Sequence, residues 1–328
     1  MAGQRVLVTG GAGFIGSHIV HQLQRLGYVP AVLDDLSSGE RANIPDGVPF
    51  YEVDIRDAAT TRQAFEDFRP QWVSHQAAQM SVSRSVRDPQ FDASVNIMGL
   101  ISVLDACVAV RAERIVAASS GGVLYGDVTE PADEDHPANP VSPYGISKLV
   151  GEAYLRFYNR EHGLTGAALR YSNVYGPRQN PHGEAGVVAI FCTRMFRGET
   201  STINGDGRYD RDYVYVDDVA AANIAALSTP LREPVRSFNV GTARKTDVNE
   251  LADHLRNLCQ AELRRRGNPI AVPAPLHGPP RPGDLRSNVI GFARAQTELN
   301  WTPKVDLATG LERTVSSFAD RVLGPRTA

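Results

Sequence analysis

The chain has 328 residues, 42% of them hydrophobic and 22% charged, with a net charge of -3. That length suits one large α/β unit plus a smaller lobe and excludes a single short domain. The balanced charge offers no basic surplus to nucleic acid or to an anionic membrane surface, so neither is expected as a partner.

The first apolar run, "RVLVTG", begins at residue 5 and turns at once into glycines. It leaves no room for a signal peptide, and the rest of the sequence reads as lacking an apolar run long enough to span a bilayer. Cys107, Cys192 and Cys259 are odd in number and far apart. They imply no disulfide framework and fit a reducing, cytoplasmic setting. The eight histidines show no metal-ligand spacing, and no metal is expected.

In chain order, "RVLVTG", "VPAVLDD", "PFYEVD", "QWVSHQAA", "RIVAASS" and "TGAALRYSNV" are strand candidates separated by helix-length segments. The alternation predicts βαβ units with right-handed crossovers. The expected fold class is therefore α/β, a doubly wound parallel (Rossmann) sheet with helices on both faces. Beyond about residue 176 the pattern gives way to loops such as "YGPRQNPHGEAG" and "AVPAPLHGPPRPGD". The expected division is a nucleotide-binding domain over 1–175 and a smaller C-terminal α/β lobe, mainly for substrate, over 176–328. The segment "YVYVDDVAAANIAAL" reads as a strand end running into a helix, and is expected to return the chain to the sheet near 213–240.

The glycines of "VTGGAGFIGSH" lie between the first strand and the first helix, which is the context a dinucleotide-binding turn requires. Gly10 permits the tight turn, Gly13 lets backbone approach a pyrophosphate, and Gly16 lets helix pack on strand. The N–H groups of Phe14 and Ile15 would face the anion at the positive end of the helix. The second strand ends in "VLDDL". A carboxylate there accepts the hydroxyls of the adenosine ribose and repels a 2′-phosphate, so Asp34 argues for NAD over NADP. Asp35 is either a second such acid or the cap of the next turn, and the nearby Arg41 leaves phosphate recognition open.

In "SPYGISKLVGEAY", residues 142 to 154, Tyr144 precedes Lys148, one of only three lysines, at what reads as a helix entrance. Residues four apart share a helix face, so the ammonium can stabilise the phenolate, lower its pKa toward neutrality and make Tyr144 a usable base. The plain alternative is a surface lysine packed over an aromatic ring.

With these pieces together the sequence resembles the extended short-chain dehydrogenase/reductase family, and within it the UDP-glucose 4-epimerase type of nucleotide-sugar enzymes. The resemblance runs over almost the whole chain, through "TGGAGFIGSH", "VDIRD", "HQAAQ", "SVNIMG", "SSGGVLYG", "SPYGISK", "RYSNVYGPRQ", "RDYVYVDDVA" and "RPGD". It implies Asp54 and Ile55 beside the adenine, and Ala77 and Ala78 along the cofactor. Asn96 and Tyr171 would lie close to the same pocket, with Lys148 on the nicotinamide ribose. It also implies Asn173, Arg211 and Arg281 on the nucleotide diphosphate, Asp284 on its ribose, and a homodimer formed through "FDASVNIMGLISVLDACVAV" and "GISKLVGEAYLRFY". Family members carry a hydroxyl residue on the sugar's 4-oxygen. Counting back four residues from Tyr125, the family's usual spacing, lands on Gly121, a departure from that pattern, whereas counting along the fifth strand puts Ser120 there, with Ser119 as second choice.

The same fold hosts epimerases, 4,6-dehydratases and decarboxylases, and could serve a non-catalytic NAD or nucleotide-binding protein. The turn "SSGGVLYG" supplies no added acid for dehydration or decarboxylation. The expected activity is therefore C4 epimerisation of a UDP-hexose, with acetylated sugars left open because Asn288 is implied near the C2 substituent.

Overall fold

The computed structural model describes residues 3–181, 186–281 and 284–325. Its first six strands, in chain order, are β1 (Arg5–Thr9), β2 (Val29–Asp34), β3 (Phe50–Glu52), β4 (Trp72–His75), β5 (Arg114–Ser120) and β6 (Thr165–Tyr171). Between them lie α1 (Phe14–Arg25), α2 (Ala58–Phe68), the short α3 (Val82–Arg87) and α4 (Pro89–Ala93), α5 (Gly99–Val110), the one-turn α6 (Gly121–Leu124) and α7 (Pro143–His162). A π-helical turn, Ser94–Met98, joins α4 to α5.

The chain continues through β7 (Asn173–Tyr175), α8 (Val187–Phe196), β8 (Thr202–Asn204), β9 (Asp210–Arg211) and β10 (Tyr213–Tyr215). It then runs through α9 (Val216–Ser228), β11 (Val235–Val240), α10 (Val248–Arg265), β12 (Leu276–Gly278), β13 (Ser287–Asn288), α11 (Ala293–Leu299) and α12 (Leu307–Leu323). β11 joins the main sheet beside β6, which gives seven strands in the order β11-β6-β5-β4-β1-β2-β3, and every neighbouring pair is parallel. After β3 the chain crosses β1 to build β4 on its other side. That reversal opens a crevice at the carboxyl ends of β1 and β4.

Side chains alternate along a strand, so β1 feeds two cores. Val6 and Val8 pack with Ile19 and Leu23 of α1 and with Val219 and Leu227 of α9. Leu7 faces the other way, with Phe65 of α2, Leu104 of α5 and Leu155 of α7. A third apolar cluster holds the C-terminal half together, drawing Phe191 and Phe196 from α8, Leu251 and Leu255 from α10, and Phe318 from α12. The stretch near 213–240 divides its work. β10 pairs with β7 in a separate ribbon, while β11 enters the main sheet.

One sequence expectation is corrected. Pro89–Val110 runs as a helical stretch of 22 residues containing an 18-residue window of mean hydropathy 1.9, long and apolar enough to cross a membrane by length and composition. Its apolar character has an internal cause. Leu100, Val103, Leu104 and Cys107 are buried in the core that α5 shares with the sheet, while Asp92 and Asn96 bond to each other and to the loop after β4.

Candidate active site

At the end of β1 the chain makes the glycine turn. Gly10 has a positive φ of 66°, and a Cβ there would lie 2.6 Å from the Ala77 backbone nitrogen, so only glycine fits between β1 and the loop after β4. At Gly16 a Cβ would meet the Gly10 carbonyl oxygen. α1 starts on Gly13, whose place at the N-cap brings no side chain to satisfy the first-turn N–H groups. The amides of Phe14 and Ile15 therefore remain at an open, positively polarised helix end.

Asp34 ends β2 and turns its carboxylate back under this turn. Oδ2 accepts from Ala12 N at 3.0 Å and Oδ1 from Leu36 N at 2.9 Å. Burial raises its pKa, and the backbone N–H groups of Leu36, Ala12 and Gly13 oppose the shift. A carboxylate has about four acceptor positions, so these backbone groups leave room for a ribose hydroxyl. Asp35 takes the other role open to it, accepting from Ser37 N at 3.0 Å and Ser37 Oγ at 2.6 Å to close a turn. Asp54 is held by Arg56 in a two-pronged pair that lowers its pKa. Ile55 is buried behind it, 2.6 Å from where a Gly99 Cβ would sit. Asn96, on the π turn, accepts from Gln79 N and donates to Gln79 O and Asp92 Oδ1, bracing the segment that carries Ala77 and Ala78.

α7 begins on a Ser142 cap, whose Oγ accepts from Gly145 N at 3.2 Å, with Pro143 in the first turn. Tyr144 follows at once, and Lys148 and Glu152 take the same face one and two turns on. The ammonium lies 5.6 Å from the Tyr144 ring centre and donates to Ala118 O at 3.1 Å. Ser120, the last residue of β5, lies near enough to the Tyr144 hydroxyl for its side chain to draw the phenol's pKa down. Ser119 faces away, and its Oγ donates to Glu152 Oε1 at 2.8 Å. Strand alternation thus separates the two serines that sequence counting left as alternatives.

The electrostatics differ from the sequence expectation. Burial pushes the Tyr144 phenol up to about 12, the Ser120 side chain pulls against it, and Asp92 pushes with it. Burial lowers Lys148 to about 8, with Asp92 opposing. In the protein alone, desolvation therefore outweighs the pull of the Ser120 hydroxyl on the phenol. Sequence reasoning assigned nothing to Asp92 or to His75, which burial lowers to about 3 and which is thus neutral, joined to Thr9 Oγ1 at 2.8 Å. No motif marks Asp92. His75 opens "HQAAQ", the one signal that could have drawn attention to it. Tyr171 is buried in a network with Gln76 and Asn223.

Across the crevice, β9 and β13 set Arg211 opposite Asn288. Arg211 Nη2 pairs with Asp284 Oδ1 at 2.6 Å, so two of the expected diphosphate and ribose residues meet directly. Asn173, on β7, donates to Asp212 O at 3.3 Å. Arg281 is exposed, while Pro282 and Gly283 of "RPGD" lie outside the described residues. Asn288 is buried and bonds Gly121 O and Gly126 O, both at 3.3 Å, fastening the turn after Ser120. Among the described residues, no group of three or more His, Cys, Asp or Glu could hold a metal ion.

A family model described as "NAD dependent epimerase/dehydratase family" matches residues 6–241. The UDP-glucose 4-epimerase of Mycolicibacterium smegmatis is 43% identical over 323 residues, covering 97% of this chain and 99% of that protein. A crystal structure of UDP-glucose 4-epimerase with UDP-glucose, from Thermotoga maritima, is similar with a TM-score of 0.90 at 44% identity, over 97% of this chain and 99% of that one. The UDP-glucose 4-epimerase of Thermus thermophilus, in complex with NAD, is similar with a TM-score of 0.88 at 45% identity, over 96% and 99% of the two chains.

Proposed function

Because the chain belongs to the NAD dependent epimerase/dehydratase family, we propose that it is an isomerase interconverting UDP-glucose and UDP-galactose by transient oxidation at C4. The observation that carries this reading is the convergence of Tyr144, Ser120 and Lys148 at the carboxyl end of β5, next to the glycine turn. The residues present fit NAD. The uncapped start of α1 suits its pyrophosphate, and the acceptor room left on Asp34 suits its adenosine ribose.

Bound NAD supplies reversible hydride transfer at C4 of the sugar. This chain's residues do the rest. Tyr144 takes the proton of the 4-hydroxyl and later returns it, and Ser120 donates to the 4-oxygen and holds it in line with the phenol. Lys148 holds the nicotinamide ribose, and its charge, with that of the cofactor, favours phenolate against the burial that raises Tyr144. Arg211 and Arg281 hold the diphosphate with charge-assisted bonds, beside Asn173, and Asp284 holds the ribose. Gly121 and Gly122 follow Ser120, so the turn brings no carboxylate to the sugar, as the dehydratase and decarboxylase types would require.

The test is direct. Purified protein is mixed with UDP-galactose and UDP-glucose is followed, with C4-deuterated substrate reporting internal return of hydride. No conversion, or loss of the label to water, would overturn the reading.

We also propose a homodimer working in a reducing, cytoplasmic setting. Met98, beside α5, and Phe157, on α7, are 58% and 43% exposed on the two apolar helices the pairing would use. Cys107, Cys192 and Cys259 are free and buried. A 35.6 kDa particle in light scattering at micromolar concentration would rule the dimer out.

A further inference from the structure

The carboxylate of Glu152 is buried behind the site and fully engaged, yet it touches none of the reacting groups. It accepts from Ser119 Oγ at 2.8 Å, Arg170 Nε at 2.9 Å, Arg170 Nη2 at 2.8 Å and Ser237 Oγ at 3.0 Å. Those partners belong to β5, β6 and β11, so one carboxylate on α7 ties the helix bearing Tyr144 and Lys148 to three strands of the sheet. The pair is dry, with side-chain exposures of 9% for Arg170 and 2% for Glu152. Arg170 is itself fixed on its far side, donating to Tyr125 OH at 2.8 Å and Glu134 O at 3.1 Å. A two-pronged guanidinium–carboxylate contact is directional, and here it cannot swing out to water.

The end of β5 needs such an anchor. Ser120 is followed by Gly121 and Gly122, which have no side chains of their own to restrain the backbone; Asn288 holds the turn that follows through Gly121 O and Gly126 O, and the Ser120 hydroxyl makes no cap on α6. Ser119 is the last side chain of the strand that is bonded inward.

We propose that Glu152 is a positioning residue: through Ser119 it clamps the end of β5 so that Ser120 faces Tyr144, with Arg170 holding the carboxylate in place. This deepens the epimerase reading and rests on it. The charged and titratable groups bearing on Tyr144 are Asp92 from α4, Lys148 from its own helix and Tyr171 from β6. None of them is altered by changes at Ser119. Burial would raise Glu152, but its bonds to Arg170 lower it, so the clamp stays charged across the working pH range.

Removing Glu152 leaves a buried arginine unpaired and can unfold the chain, so the test rests first on the milder Ser119→Ala. Wild-type turnover of UDP-galactose is measured beforehand, and its absence would strike the epimerase reading, not the clamp. Given activity, Ser119→Ala is expected to lower kcat about tenfold with KM and thermal midpoint unchanged. It is also expected to move the alkaline rise of kcat to higher pH, because a loosened Ser120 no longer pulls the phenol down. Ser237→Ala removes a bond of similar length to the same carboxylate but on β11, and is expected to leave kcat and the pH profile as in wild type. Where Glu152→Gln folds, its effect and that of Ser119→Ala should not add in the double variant, since both act through one bond. Unchanged kcat and pH profile in Ser119→Ala, an equal response in Ser237→Ala, or full additivity in the double variant would each overturn the proposal.

Discussion

The two ends of the crevice are built on different principles. At the phosphate end the working groups are mostly backbone: a turn with Gly10 at positive φ and an uncapped helix start, joined by one side-chain carboxylate at the next strand's end. These parts come from residues 9 to 34, in one βαβ unit. At the chemical end the working groups are side chains from α4, β5, β6 and α7, brought together across the sheet, and burial sets their properties. A backbone site depends on what cannot be added to it. A side-chain site depends on what surrounds it.

The comparison predicts where each end breaks. The largest effect is expected from Tyr144→Phe, which keeps shape but removes the ionisable group. Turnover should fall by about 100-fold or more while UDP-sugar binding, read by calorimetry, survives. At the phosphate end the sharpest damage should come from adding one methyl group. Gly16→Ala forces a Cβ onto the Gly10 carbonyl, so a loss of about 1 to 3 kcal/mol in denaturant unfolding is expected, with NAD lost on purification. Asp34→Ala should weaken NAD binding by about 1 to 3 kcal/mol, and binding of NADP as tight as that of NAD by the wild-type protein would contradict the assignment.

Lys148 sharpens the contrast through pH. Its folded value, about 8, lies below the ordinary 10.5, so as pH falls through that window the unfolded chain takes up the proton first. From this group stability is lowest below about pH 8 and rises toward 10.5. Urea unfolding of Lys148→Met should therefore show a flatter pH slope between 8 and 10.5 than wild type, and an identical slope would mean the lysine is better solvated than its burial indicates. The smallest effect is expected at the crevice rim. Arg211→Ala breaks the pair with Asp284, where the partly exposed setting limits the loss of stability to about 1 kcal/mol or less, while KM for the UDP-sugar rises.

Much of the site is legible in the amino-acid sequence, and unevenly so. The strand-turn-helix around Gly10, Gly13 and Gly16 is readable because its requirements are local: positive φ, close approach and an open helix end are written in consecutive residues. The Tyr144 and Lys148 pair is readable because helix periodicity alone puts them on one face. The membrane-length apolar stretch is easily misjudged, since Asp92, Asn96 and Asp105 interrupt it in the sequence while the helix is continuous from Pro89 to Val110.

By itself the sequence determined the alternation that makes a parallel sheet, the glycine turn, the acid at the end of β2 and the spacing on α7, all of which follow from dihedral limits and periodicities that act over a few residues. Only the tertiary structure decided which serine faces the phenol, that Asp35 closes a turn while Asp34 reaches under the glycines, and that Asp92 and Glu152 stand beside and behind the site. It also decided the direction of the Tyr144 shift. Desolvation and hydrogen bonding depend on which atoms are neighbours in space, and residues 92, 120, 144, 152 and 170 become neighbours only when the sheet has formed and α7 has packed upon it.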